Sequence, residues 1–236
     1  MTVLLALDSS TDVMALALTA PQGRWFFEAE GGPKASERLL PELMALLGRA
    51  GLVLAEVDAI GFGRGPGAFT GLRTACAVAQ GLAFGAAKPV LALDSLLLVA
   101  EDARRQAGGT LAGECWVAMD ARMGEIYAAA YLHEGGRWRC TEAPALYAPG
   151  ALLARWGAQL PATLCGSALA VFPELQALGV AAVWPATRSR AEALAALAEA
   201  AWGEGLGLDA AEAMPLYVRD KVAQTTEERL AARAAS

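Results

Sequence analysis

The hydrophobic and polar positions alternate in short blocks. Residues 3–7 form an apolar run that stops at Asp8-Ser9-Ser10-Thr11, residues 13–18 form a second, and Gly23 marks a turn before residues 24–30. This pattern predicts a strand, a polar turn and two further antiparallel strands. Ser36 is a candidate helix cap, and Leu39, Leu40, Leu43, Met44 and Leu47 then recur at helical spacing. Pro41 falls early in that helix, where a missing N–H costs little, and Gly51 suits its end. Residues 59–62 read as a buried strand running into a glycine-rich loop, 63–71. A helix with many small residues follows over 72–84, then a strand at 90–93 and a helix capped by Asp94-Ser95 that runs to Gln106.

The second half repeats the opening. After the turn-rich stretch 108–113, residues 115–119 form a strand ending in Asp120, as the first strand ends in Asp8. Residues 126–133 and 137–141 predict a hairpin around Gly135-Gly136. Short strands are expected at 163–166 and 180–184 with a short helix between them, a helix at 190–202 and a last strand at 214–218. The fold class is therefore α/β, with an internal repeat. We divide the chain into a first lobe, 1–108, a second lobe, 109–222, and a flexible tail, 223–236.

Composition narrows the function. Of 236 residues, 56% are hydrophobic and 19% charged, long and apolar enough for a sizeable core and for a face covered by a partner. Net charge is −6 and the pI about 4.9, with no basic run, so tight gripping of a nucleic-acid backbone by this chain alone is disfavoured. The four cysteines, Cys76, Cys115, Cys140 and Cys165, lack metal-knuckle spacing and read as buried free thiols. The first residues lack a basic leader, and no run approaches the roughly 18 apolar residues of a membrane span. A cytosolic protein without membrane contact is expected.

Three segments could carry chemistry. Asp8, Ser9, Ser10 and Thr11 end a strand in a hydroxyl-rich turn, which can present donors to a phosphate while the carboxylate holds a hydrated metal. The same residues also make an ordinary Asx or hydroxyl turn. The loop from Gly63 to Arg73, with Gly65 and Gly67, permits close backbone approach before a helix N-terminus. It has neither P-loop nor dinucleotide spacing and also reads as a tight strand-to-helix turn. Asp120, Arg122, Gly124 and Glu125 form a charged turn able to orient a ligand or dock a partner, or a plain surface hairpin. The single histidine, His133, rules out a histidine-pair metal site and reads as structural.

Read together, Leu5-Ala6-Leu7-Asp8-Ser9-Ser10-Thr11, Ser36-Glu37-Arg38-Leu39-Leu40-Pro41, Gly63-Arg64-Gly65-Pro66-Gly67-Ala68-Phe69-Thr70-Gly71-Leu72-Arg73, Asp120-Ala121-Arg122-Met123-Gly124-Glu125 and Pro215-Leu216-Tyr217-Val218-Arg219-Asp220 resemble the TsaB (YeaZ) family. The resemblance is stronger in the first half than over 150–213. It implies the actin-like ATPase, ribonuclease H-like fold, with two lobes and the second reduced. It also implies a part in making threonylcarbamoyladenosine in tRNA, as the non-catalytic relative of TsaD. TsaD carries an HxxxH metal pair where this chain has Ser95 and Val99, so no metal and no catalytic residue are expected here. No intrinsic cofactor is expected either, with ATP or ADP at a subunit junction instead. The implied partners are a TsaD-like catalytic subunit and a TsaE-like ATPase, a homodimer when the chain is alone, and tRNA mainly through the partners. The family's first-lobe interface places contacts on Leu39, Leu43, Met44, Arg73, Ala75, Cys76, Ala79 and Ala83. Periodicity alone makes Leu39, Leu43 and Met44 core.

Two rivals use the same residues differently. An ATP-dependent small-molecule kinase of this fold would need a second phosphate loop and an adenosine pocket, and 150–213 shows no glycine-rich motif for one. A peptidase would need metal ligands or a triad, and His133 has no nucleophile elbow near it.

Overall fold

A computed structural model describes residues 2–31 and 35–219. The tail expected at 223–236, and Asp220 of the last motif, lie outside the described residues. The strands form two five-stranded sheets. The first contains β1 (Leu4–Asp8), β2 (Val13–Ala20), β3 (Gly23–Glu30), β4 (Ala59–Gly65) and β5 (Val90–Asp94), in the order β3-β2-β1-β4-β5. The second contains β6 (Cys115–Asp120), β7 (Ile126–Glu134), β8 (Arg137–Tyr147), β9 (Thr163–Cys165) and β10 (Ala182–Trp184), in the order β8-β7-β6-β9-β10.

The two orders are the same. In each sheet the first strand pairs antiparallel with the second and parallel with the fourth. This is the actin-like arrangement, present twice. A glycine at the end of each fourth strand also matches: Gly65, the last residue of β4, has φ 110° and Gly166, just after β9, φ 113°, a region closed to most side chains. The second copy is built from shorter pieces, with three-residue strands at β9 and β10.

Burial explains the sequence pattern. Helices α1 (Ala35–Ala50) and α2 (Phe69–Ala86) cover one face of the first sheet, and α7 (Arg190–Gly203) covers the other. Leu5 and Leu7 of β1 pack toward α1 and α2, whereas Leu4 and Ala6 pack toward α7. A strand covered on both faces needs an unbroken apolar run, which is what residues 3–7 supply. Helix α3 (Ser95–Gln106) sets Leu96, Val99, Ala100 and Ala103 against Val117, Ala129 and Tyr131 of the second sheet, and it packs on α7. Thus α7, within the 109–222 stretch by sequence, returns to the first sheet. The outer face of the second sheet carries α4 (Pro149–Trp156), α5 (Ala168–Val171) and α6 (Pro173–Gln176).

Several local expectations change. α1 spans Ala35–Ala50, so Ser36 lies inside the helix and not before its first residue. Gly51 has φ 70° and ends the helix as expected. Residues 214–218 form no strand. They cross between the lobes, and Leu216 N–H donates to Arg64 O at 2.7 Å. Helix α4 has its signal in Pro149 at the first turn and Leu152 and Trp156 four apart on its buried face, a pattern the sequence reading passed over. Cys140 is exposed, unlike the other three cysteines.

Candidate functional site

The repeat brings the two strand-end aspartates to one place. Asp8 accepts from the backbone N–H of Ser10 at 3.2 Å, and Asp120 from that of Arg122 at 2.9 Å. Each is an Asx turn two residues long, closing a hairpin. Between the lobes lies a cleft of about 660 Å³, with Ser10, Thr11 and Gly67 on one wall and Asp120, Arg122 and Tyr127 on the other.

Asp8 itself is buried beneath this wall. Its Oδ1 accepts from Arg190 Nε at 2.7 Å and from Ser10 Oγ at 3.0 Å, and its Oδ2 accepts from Ser95 Oγ at 3.0 Å. The glycine-rich loop closes on the same turn. Ala68 N–H donates to Ser10 O at 2.7 Å, and Ser9 Oγ donates to Gly71 O at 2.8 Å. A Cβ at Gly71 would stand 1.8 Å from Ser9 O, and one at Gly67 2.3 Å from Ser10 O. These glycines let two backbone turns touch. Gly65, which does not line the cleft, donates its N–H to Ser95 Oγ at 3.0 Å. Thr11 is tied locally to Val13, with its Oγ1 accepting from Val13 N–H at 3.2 Å.

The opposite wall is held by charge. Arg122, Met123 and Gly124 all have positive φ, which turns the β6–β7 tip sharply over the cleft. Arg122 reaches Asp12 at 2.7 Å across the mouth, an exposed pair of little energetic weight. Arg219 reaches Glu125 at 2.5 Å and donates to Ala121 O at 3.1 Å. On the other side Tyr217 lies 5.4 Å from Phe69, and its hydroxyl accepts from Arg73 Nε at 3.2 Å. Residues 216–219 therefore tie the first lobe to the second. Burial raises the pKa of Tyr127 in the cleft wall, with Arg219 acting in the opposite sense.

The candidate interface residues divide. Leu39, Leu43, Ala75, Cys76, Ala79 and Ala83 are core, so the expectation that they meet a partner is corrected. α2 lays its small residues on β4 because close helix–sheet packing needs them there, and Cys76 is covered by Ala213, whose carbonyl is 3.3 Å from its Sγ. Met44 and Arg73 are exposed. The outward face instead shows Leu40 and Met44 on α1, and Ala77, Gly81 and Phe84 on α2, with Phe84 80% exposed. The residues that sequence reasoning missed are Arg190, which lies 182 positions from Asp8, and the pair Asp94–Tyr131. An arginine at the first position of an Ala/Leu helix, against the helix dipole, was the available signal. Among the described residues no group of three or more His, Cys, Asp or Glu could hold a metal, and no helix is long and apolar enough to cross a membrane. The His133 ring lies tilted against that of Trp138, with centroids 4.9 Å apart.

Comparison with known proteins identifies the family. The family described as "TsaD: tRNA N6-adenosine threonylcarbamoyltransferase" matches residues 32–226. The chain is 37% identical over 148 residues to the tRNA threonylcarbamoyladenosine biosynthesis protein TsaB of Escherichia coli (strain K12), covering 62% of each chain. It is 41% identical over 126 residues to the TsaB of Haemophilus influenzae, covering 52% of this chain and 51% of that one. The chain thus spans between about half and two thirds of the length of these two curated relatives. The solved structure of YeaZ from Pseudomonas aeruginosa superposes with a TM-score of 0.80 at 38% identity, over 92% of this chain and 100% of that one. The family match over residues 32–226 and the superposition along most of the chain at 38% identity place this protein in the TsaB/YeaZ family, within the wider TsaD family.

Proposed function

We propose that this chain is the non-catalytic scaffold and activating subunit of the assembly that forms threonylcarbamoyladenosine next to the anticodon of tRNAs. It pairs with a TsaD-like catalytic subunit, and a TsaE-like ATPase joins them. The observation that carries the reading is the outward face of α1 and α2. Leu40, Met44 and Phe84 stand exposed beside Ala77 and Gly81, and a Cβ at Gly81 would meet nothing within 4 Å. Two neighbouring helices that expose large apolar side chains beside small residues suit close packing against helices of a homologous chain. Burying Phe84 there contributes about 1.5–3 kcal/mol. The same face serves a homodimer when the partner is absent.

The site supports a non-catalytic role. By the resemblance, Ser95 takes the place of the first histidine of the catalytic relatives' metal pair, and its hydroxyl is spent on Asp8 and Gly65. Val99, at the second position, is buried in the core. ATP or ADP then belongs to the junction with the partners, and tRNA contacts fall mainly to them, in keeping with the net charge of −6. The chain works in the cytoplasm.

Light scattering on a sizing column tests this directly. Mixing the chain with a TsaD-like subunit from the same source gives a new peak at the one-to-one mass, and Phe84→Glu abolishes it while the melting temperature holds. ATP turnover by the chain alone with sugar or acid acceptors would instead establish the kinase reading.

A further inference from the structure

The actin-like fold implies a nucleotide carrying a divalent cation, and the strand-end Asp8 is the carboxylate that the sequence offers for it. The residues present do not fit that group. Asp8 has no exposed surface, and Arg190 is 4% exposed. Both carboxylate oxygens accept from side chains of the same chain: Arg190 Nε and Ser10 Oγ on one, Ser95 Oγ on the other. The backbone of β4 fills a further side, since a Cβ at Gly63 would stand 1.7 Å from Asp8 Oδ2. The guanidinium is equally committed. Its Nη2 donates to Ser10 Oγ at 2.8 Å and to Ser95 O at 3.3 Å.

Arg190 also sits against local preference. It is the first residue of α7, where the helix dipole is positive and an arginine is disfavoured. Tertiary structure overrides the local rule because the side chain reaches a buried anion.

We propose that the Arg190 guanidinium is the resident cation of this site, standing in the place of a nucleotide-bound metal and closing Asp8 to divalent cations. It supplies one positive charge and directional donors to a fully buried carboxylate, which keeps both ions satisfied without a ligand. The β1–β2 turn, β1 and the start of α3 are thereby pinned together permanently. This assignment stands whether or not the chain pairs with a TsaD-like subunit.

The test is Mn²⁺ binding followed by electron paramagnetic resonance on the full chain, together with thermal melting. The wild type binds no Mn²⁺ at Asp8. Arg190→Ala gains one site per chain, and that site disappears in Asp8→Asn/Arg190→Ala. Methylguanidinium chloride raises the melting temperature of Arg190→Ala more than an equal concentration of sodium chloride does, and it displaces the Mn²⁺. Should Arg190→Ala fail to fold, refolding it with methylguanidinium decides: recovery supports the assignment and failure overturns it. Wild-type Mn²⁺ binding that Asp8→Asn removes, or a folded Arg190→Ala that ignores both Mn²⁺ and methylguanidinium, also overturns it.

Discussion

The phenol of Tyr131, on the second sheet, donates a 2.7 Å hydrogen bond to the carboxylate of Asp94, which caps α3 at the end of the first sheet. Asp94 accepts at the same time from the N–H groups of Leu96 and Leu97, so one carboxylate fixes the helix start and ties the sheets together. Burial raises the pKa of both groups. For Asp94 it outweighs the hydrogen bonds from Tyr131 and the α3 backbone, and for Tyr131 the charge of Asp94 adds to it.

A pH dependence follows with a definite sign. The unfolded phenol loses its proton near pH 10, whereas the folded one keeps it well above. Above about pH 10 the folded state holds the extra proton, so stability falls as pH rises. Asp94 acts in the same sense at acid pH: its folded pKa is raised, so its contribution is greatest below the usual carboxylate range and is lost as pH rises through the raised value. Urea melts of Tyr131→Phe should show a loss of about 1.5–3 kcal/mol at pH 7 and a flatter alkaline decline than the wild type.

The two kinds of glycine on α2 should respond in opposite directions. Gly71→Ala drives a methyl into Ser9 O and should cost about 1–3 kcal/mol or more, read as an early urea midpoint. Gly81→Ala points into open space and should stabilise the isolated chain by about 0.5–1 kcal/mol. If the α1–α2 face is the docking surface, that stabler variant also binds its partner less well.

Ala79 and Phe84 distinguish core from interface on one helix. Ala79 is fully buried, so Ala79→Arg places an unpaired charge in the core and should prevent folding. Phe84→Ser should leave the melting temperature of the monomer within a degree or two, because the ring is 80% exposed, yet weaken the complex. Circular dichroism melts beside analytical ultracentrifugation separate the two outcomes.

The strap across the cleft can be loosened without touching either core. In Tyr217→Ala/Arg219→Ala, the Arg73 and Glu125 contacts are lost. Hydrogen exchange should then quicken over residues 120–126 while the α7 amides keep their protection. Unchanged exchange at 120–126 would show that the turn is held by its own Asx geometry alone.

Thiol labelling checks the fold cheaply. Cys140 is exposed and should react first in the native chain, though slowly, because partial desolvation of its thiol raises its pKa. Cys76, Cys115 and Cys165 should stay protected until the chain unfolds. The Cys165 thiol is further held in its neutral form by the hydrogen bond to Cys115, at 3.5 Å.

Much of this architecture is written locally. The unbroken apolar run of β1, the polar stop at Asp8 and its echo at Asp120 need only the period of a strand and the chemistry of an Asx turn. The helical spacing through α1 and the glycine at its end are equally local. So is the absence of a basic surface run, which bears on partners before any coordinates exist. Periodicity puts Leu39 and Leu43 of α1 inside but Met44 with them, and in a helix of small residues such as α2 local pattern does not say which side faces the sheet. Leu39, Leu43, Ala75 and Ala79 turned inward because α1 and α2 share one sheet face, leaving Leu40, Met44 and Phe84 outside. Nor does it say what meets Asp8. A turn of Asp8-Ser9-Ser10-Thr11 is equally suited to a metal, a phosphate or a guanidinium. Only the return of α7 across the first sheet, 182 residues later, brought Arg190 to 2.7 Å and decided among them. Contacts at that separation depend on how packed layers share their faces, and no period along the chain encodes that.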